Sequence, residues 1–193
     1  MIRFFTGRNL AGALDINNAR WKRWSREFLP PDPLGGLQSG FARQYTPDDA
    51  FKVYLGGFLV GQLNFSIPDA RQIITDLSPW MRENGFLESG ESPLMENKLK
   101  SIPVLEHIIE FSGGSIDKQA HYRIRAIISR SSENLEGVTV FQEKYLEREI
   151  PGTTLPKNGA FPQATGILFI SRVHAVFEKK IGIVHQAGMN PGA

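Results

Sequence analysis

The chain has 193 residues, 41% of them apolar, a formal net charge of +2 and no cysteine. That length permits a sizeable core in one or two domains. The absence of thiols excludes disulfides, iron–sulfur clusters, thiolate metal sites and cysteine catalysis, and it agrees with a reducing cytoplasm.

No apolar run reaches the length of a membrane-spanning helix, and Met1–Thr6 lacks the apolar core of a signal peptide, so a cytoplasmic protein with no membrane association is expected. The small net charge does not announce a polyanion partner by itself. Its distribution is more informative. Residues 1–26 carry Arg3, Arg8, Arg20, Lys22, Arg23 and Arg26 against the single acid Asp15, whereas from residue 86 onward acids and bases cancel at 12 each. A local basic surface of this kind suits phosphates, although a solvated helix face has the same composition.

In chain order, residues 6–14 predict a short helix with Leu10, Ala11 and Leu14 inward and Thr6 as its cap. Asp15-Ile16-Asn17-Asn18 reads as a turn whose Asx side chains close it or cap the next helix. Ala19–Phe28 predicts a second helix with Trp21, Trp24 and Phe28 on one side and Arg20, Lys22, Arg23 and Arg26 on the rest. Helix, tight turn and basic helix within about 25 residues is the spacing of a helix-turn-helix. Leu29–Gly40 holds three prolines and three glycines and reads as an exposed loop, from which Phe41–Tyr45 returns as a short strand.

Two helix starts of one type come next. Thr46-Pro47-Asp48-Asp49 and Ser66-Ile67-Pro68-Asp69 each place a hydroxyl at the cap, proline in the first turn and a carboxylate three residues on. Phe51, Tyr54, Leu55, Phe58, Leu59 and Leu63 then share one helical face. Ile67, Ala70, Ile73, Ile74 and Leu77 share another, and Leu63-Asn64-Phe65 joins the two short helices.

These elements resemble the N-terminal domain of the MerR family of transcription regulators over about residues 5–77. The family's aromatic–x–x–Glu–x–Leu element is matched by Trp24-Ser25-Arg26-Glu27-Phe28-Leu29. Its wing closure is matched by Gly40–Asp49, and its later Gly-Phe-Ser-x-x-Glu-Ile element by Asn64–Ala70. The chain departs from the pattern at Lys22, where the family usually has Arg, at Phe28 in place of Gly, and in a longer wing.

The resemblance implies a sequence-specific DNA-binding regulator of transcription acting as a homodimer on double-stranded DNA. No Ser/His/Asp order, phosphate loop or carboxylate pair stands out, so no enzymatic activity and no cofactor are expected. It places Asn17, Asn18, Arg20 and Arg23 near base edges, and Lys22, Arg26, Gln38, Ser39 and Arg43 near phosphates, with Tyr45 reaching a phosphate through its hydroxyl. Asn17 and Asn18 serve equally as turn and cap residues, Trp21 and Trp24 as core, and Arg43 as a brace against Asp48 or Asp49. Related winged modules occur in phage excisionases and packaging proteins, so an architectural DNA-binding protein of a phage or mobile element is the alternative.

The expected fold class is α+β. A mostly helical winged helix-turn-helix spans residues 1–81, a linker rich in Gly, Ser, Glu and Pro spans 82–93, and a small α+β domain with a β-hairpin spans 94–193. Helical spacing fades at Pro79. Leu94–Phe111 predicts a helix started or kinked by Pro103, too irregular for the family's dimerising coiled coil. Tyr122–Ser129 and Val138–Tyr145 predict the hairpin, with Ser131–Gly137 as its turn. Residues 151–166 read as loop, 186–193 as a frayed end, and Ile167–Ile181 fits a helix stopped at Gly182 better than a strand. The second half is expected to dimerise the protein or sense a small-molecule effector. Glu143, Tyr145, Glu147 and Glu149 fit either a cation pocket or the charged outer face of a strand. His174 and Glu178 stand at metal-ligand spacing on a helix, with no metal expected, and Glu106 and Glu110 flank His107.

Overall fold

The computed structural model describes residues 4–32, 42–88, 103–113, 119–135, 138–154 and 166–182. The protein is α+β, and its contacts divide it into two compact units, Met1–Tyr54 with Val173–Ala193, and Leu55–Arg172. The division expected from composition was 1–81 and 94–193.

The first unit begins with strand β1 (Phe5–Thr6), which pairs antiparallel with β2 (Gln44–Tyr45). Between them lie helices α1 (Gly7–Leu14) and α2 (Asn18–Phe28). Thr6 Oγ1 accepts from the Asn9 amide, as the sequence implies, and Asp15 ends α1 in the left-handed region at φ 58°, which Asp tolerates better than most residues. Lys180 donates to the Leu14 carbonyl, setting a cation at the negative end of α1. Helix α3 (Pro47–Gly61) starts on a reciprocal cap: Thr46 Oγ1 accepts from the Asp49 amide and Asp49 Oδ2 from the Thr46 amide. Phe51 lies edge-on to His174 at 4.7 Å and 5.2 Å from Phe177.

The second unit is a four-stranded antiparallel sheet with helix α4 (Ile67–Glu83) against one face. Its strands are β3 (Glu106–Gly113), β4 (Gln119–Leu135), β5 (Val138–Thr154) and β6 (Gly166–Leu168), in the order β5-β4-β3-β6. Alternation sends Ile109, Phe111, Tyr122, Ile124 and Leu168 inward. Tyr122, fully buried, donates to Asp76 of α4 at 2.8 Å, and Trp80 and Phe86 both stand edge-on to His107. The opposite face is a lattice of charge in which Glu110, Glu147 and Glu149 alternate with Arg123 and Arg125. Gly152 is required where β5 crosses β4 beside a register shift: a Cβ there would lie 2.8 Å from Ala120 and Tyr122.

Several expectations need correction. Helix α4 does not fade at Pro79; it runs through to Glu83, with Pro79 exposed, so the backbone bond that proline removes lies on the solvent side. Residues 82–83, expected as linker, belong to this helix, and Phe86 and Leu87 are buried, Phe86 stacking on Trp80. Residues 106–111 form a strand instead of a helix, because Ile109 and Phe111 alternate with Ile108 and Glu110 against β4. Residues 94–102 lie outside those described, as do 155–165 and 186–193. The hairpin is longer than expected: its ladder continues to Leu135↔Val138, and Pro151–Thr154 belong to β5 instead of a loop.

The stretch 167–181 divides between both readings. Gly166–Leu168 pairs with β3, and helix α5 (Ile170–Ile181) comes after it, ending at Gly182 with φ +71°. Helix α3 is buried around Ala50, Phe51, Val53, Leu55 and Leu59, with Tyr54 and Phe58 half-buried, so its apolar surface is wider than one stripe.

Burial among aromatic rings pushes the pKa of His107 below its ordinary value. The unfolded chain therefore binds this proton more readily than the folded one, so stability is full above the unfolded value of about 6.5 and declines as pH falls below it. Urea denaturation followed from pH 8 to pH 5 should show this decline, and His107→Gln should flatten that part of the curve.

Candidate nucleic-acid interface

The first unit presents the basic residues singled out in the sequence, and the packing of α2 decides which of them face solvent. Asn17 caps α2: its Oδ1 accepts from the amides of Ala19 at 2.8 Å and Arg20 at 3.4 Å. Trp21, Ser25 and Phe28 are buried, at i, i+4 and i+7. Trp21 is 0% exposed, lies edge-on to Tyr45 at 5.7 Å, and its carbonyl accepts from the Ser25 hydroxyl at 3.0 Å. That rotation leaves Asn18, Arg20, Lys22, Arg23 and Arg26 exposed together with Asn17.

Trp24, expected in the core, is only half-buried, and the Arg20 guanidinium lies 5.9 Å from its ring centroid. Trp24 thus sits at the border of the basic face, where the cation covers it.

The structure buries one of the phosphate-contacting candidates, Tyr45, and shows what holds another, Arg43. Tyr45 is 4% exposed and its hydroxyl donates to Ser25 at 3.0 Å, so it supports α2 from inside and its hydroxyl does not meet solvent. Arg43, read in the sequence as a brace against Asp48 or Asp49, is held by other groups. Its Nη1 donates to the Pro30 carbonyl at 2.9 Å, and its guanidinium lies 5.6 Å from the Tyr45 ring centroid. Gln38 and Ser39 lie outside the described residues.

A cleft of about 600 Å³ runs beside this face, lined in part by Lys22, Arg26, Leu29, Pro30, Asp32 and Arg43. On the other side of Lys22, the start of α1 contributes Thr6, Gly7 and Arg8 to a second cleft. Arg8 is exposed and belongs to the basic segment, but spacing alone does not connect it with α2; the chain reversal at Asp15 does.

Comparison with family models, with curated proteins and with solved structures gives no match.

The second half offers less. Glu143, Tyr145, Glu147 and Glu149 form the outer face of β5, and Arg130, Arg125 and Arg123 already engage the three acids across the ladder. Arg125 also lies 5.2 Å from the Tyr145 ring centroid. A cation would have to displace these arginines.

Glu106, 4% exposed, is gripped by Arg172 and Arg130, and these contacts, Arg172 foremost, hold its carboxyl below the ordinary carboxylate range against the effect of burial. Ser171 accepts from the His107 amide at 2.8 Å beside it. This is an anchor between β3 and the start of α5. Local spacing sets Glu106 beside His107 and gives no sign of the two distant arginines. His174 and Glu178 approach to 3.6 Å on α5, and no group of three or more metal-binding side chains occurs among the described residues. No described helix is long and apolar enough to cross a membrane.

The cap and the proposed contact at Asn17 are separable. Asn17→Ala should cost about 1 kcal/mol in urea denaturation, while Asn17→Ser, which retains a cap oxygen, should keep most of that stability. Equal losses in the two variants would remove capping as the role of the side chain.

Proposed function

We propose that this protein is a sequence-specific DNA-binding regulator of transcription, acting as a dimer on double-stranded DNA. In this reading β1, α1, α2 and β2 form a MerR-like winged helix-turn-helix. The supporting observation is the outer face of α2, where Asn18, Arg20, Lys22, Arg23 and Arg26 are exposed while Trp21, Ser25 and Phe28 are buried. A helix with side chains is about 10–12 Å across and the major groove about 12 Å wide, so such a face can meet base edges along its length.

Asn and Arg are the residues that pair bidentately with adenine and guanine, each good pair being worth about 1–3 kcal/mol of discrimination. On this reading Asn18, Arg20 and Arg23 read bases, and Lys22 and Arg26 meet phosphates. The second unit supplies the dimer contact or an effector site, and a dimer implies two half-sites about 34 Å apart.

Fluorescence anisotropy of labelled duplexes across a salt series tests the proposal. Binding should weaken linearly in log–log salt, and the Arg20→Ala plus Arg23→Ala variant should bind its selected sequence at least about tenfold more weakly, with less preference over unrelated duplex. No binding by the unmodified protein at low salt rules the proposal out.

A further inference from the structure

Adjoining the outer face of α2 and sharing Asn18 and Lys22 with it, the first unit contains a basic site assembled from three separate segments. The start of α1 (Thr6, Gly7, Arg8), the first half of α2 (Asn18, Lys22) and the segment holding Ala42, Arg43 and Tyr45 line a cleft of about 510 Å³. Its described lining has three cations, Arg8, Lys22 and Arg43, and no acid. Two helices begin on it, Gly7 opening α1 and Asn18 opening α2, so the positive ends of both helix dipoles add to the same field.

The site is also pre-shaped. Arg43 is held by the Pro30 carbonyl and lies against the Tyr45 ring, so it loses little side-chain freedom on binding. Gly7 keeps the cleft close to the core: a Cβ there would lie 3.4 Å from Trp21 Nε1 and 3.4 Å from Tyr45 Cε2. That Nε1 is buried without a hydrogen-bond partner among the described residues. An added methyl would occupy the cleft and press on the ring that orients α2.

An anion is the ligand class this charge selects. The cleft is wider than a free ion needs, since a water takes only about 30 Å³ of liquid. A phosphate with its flanking sugars fills such a space better. We infer that the cleft seats one backbone phosphate of duplex DNA, clamped by Arg8, Lys22 and the first turn of α1; this rests on the DNA-binding reading above. The contact carries no sequence information. It fixes where along the duplex, and at what angle, α2 is presented.

The test uses the full chain with Arg8→Gln, and with Arg8→Gln plus Lys22→Gln. Arg8 is exposed, and unchanged thermal melting followed by circular dichroism confirms that each variant is folded. At about 0.1 M salt, Arg8→Gln should weaken binding of the selected sequence and of unrelated duplex alike, by about three- to tenfold. The log–log salt slope should become shallower by about one in the double variant, the count for a single phosphate, and by no more than that in Arg8→Gln.

Unaltered affinity and slope in both variants, with the unmodified protein still binding DNA, overturns the clamp and leaves the DNA-binding reading standing. No DNA binding by the unmodified protein removes both. Titration with inorganic phosphate provides the remaining arm. Amide shifts at Gly7 and Arg8 at millimolar phosphate, combined with DNA binding that ignores Arg8→Gln, assign the cleft to a free anion and overturn the proposal.

Discussion

The orientation of α2 depends on the burial of one side chain. Trp21 is enclosed on the core side, with Tyr45 edge-on to it and Gly7 close enough to leave little room for a Cβ. The Tyr45 hydroxyl donates to Ser25, and Ser25 donates to the Trp21 carbonyl, so three residues from two elements form one buried chain. A helix held at one large ring and one hydrogen-bonded serine a turn later cannot rotate about its axis. The cations on its other side are therefore displayed in a fixed order, and β2 supports the basic face through Tyr45.

The second unit solves a different problem. Its sheet buries one face under α4 through Tyr122, Ile124 and Phe111, and leaves the other to solvent covered by alternating acids and arginines. Beyond Ile127, β4 pairs only with β5 among the described residues, and this ribbon is bare on both faces, with Phe141 at 79% exposure. Exposed ion pairs contribute little stability each, so the lattice keeps a long edge strand soluble more than it holds the fold together. Glu106 differs because it is buried: its two arginines must stay if the carboxylate is to remain ionised there.

What could be read from the sequence tracked the range of the forces involved. Thr6, Asn17, Thr46 and Ser66 all cap helices as expected, because a cap depends on residues two or three positions away. The region 94–111 misled because Leu105, Ile108 and Ile109 are spaced as on a helix. Residues 106–113 are a strand through pairing with 120–127, a contact that local periodicity does not register. The same applies to Pro79, which is tolerated because it faces outward, and to Tyr45, whose hydroxyl finds Ser25 twenty residues earlier. The basic candidates on α2 were legible as composition, and Arg8 was hidden because only the chain reversal after α1 brings it near Lys22.

Asn17 has a consequence for how this surface can diverge over time. Its carboxamide oxygen is occupied by two backbone amides of α2, so only side chains with a short acceptor can replace it without loosening the helix. Arg20 and Arg23 cap nothing among the described residues, although Arg20 lies over the Trp24 ring. Mutational drift is accordingly unequal along the same face: the first residue is held in place by folding, while the next turn is freer to change. Under the proposed function, new sequence preferences would accumulate at positions 20 and 23 long before they reached 17.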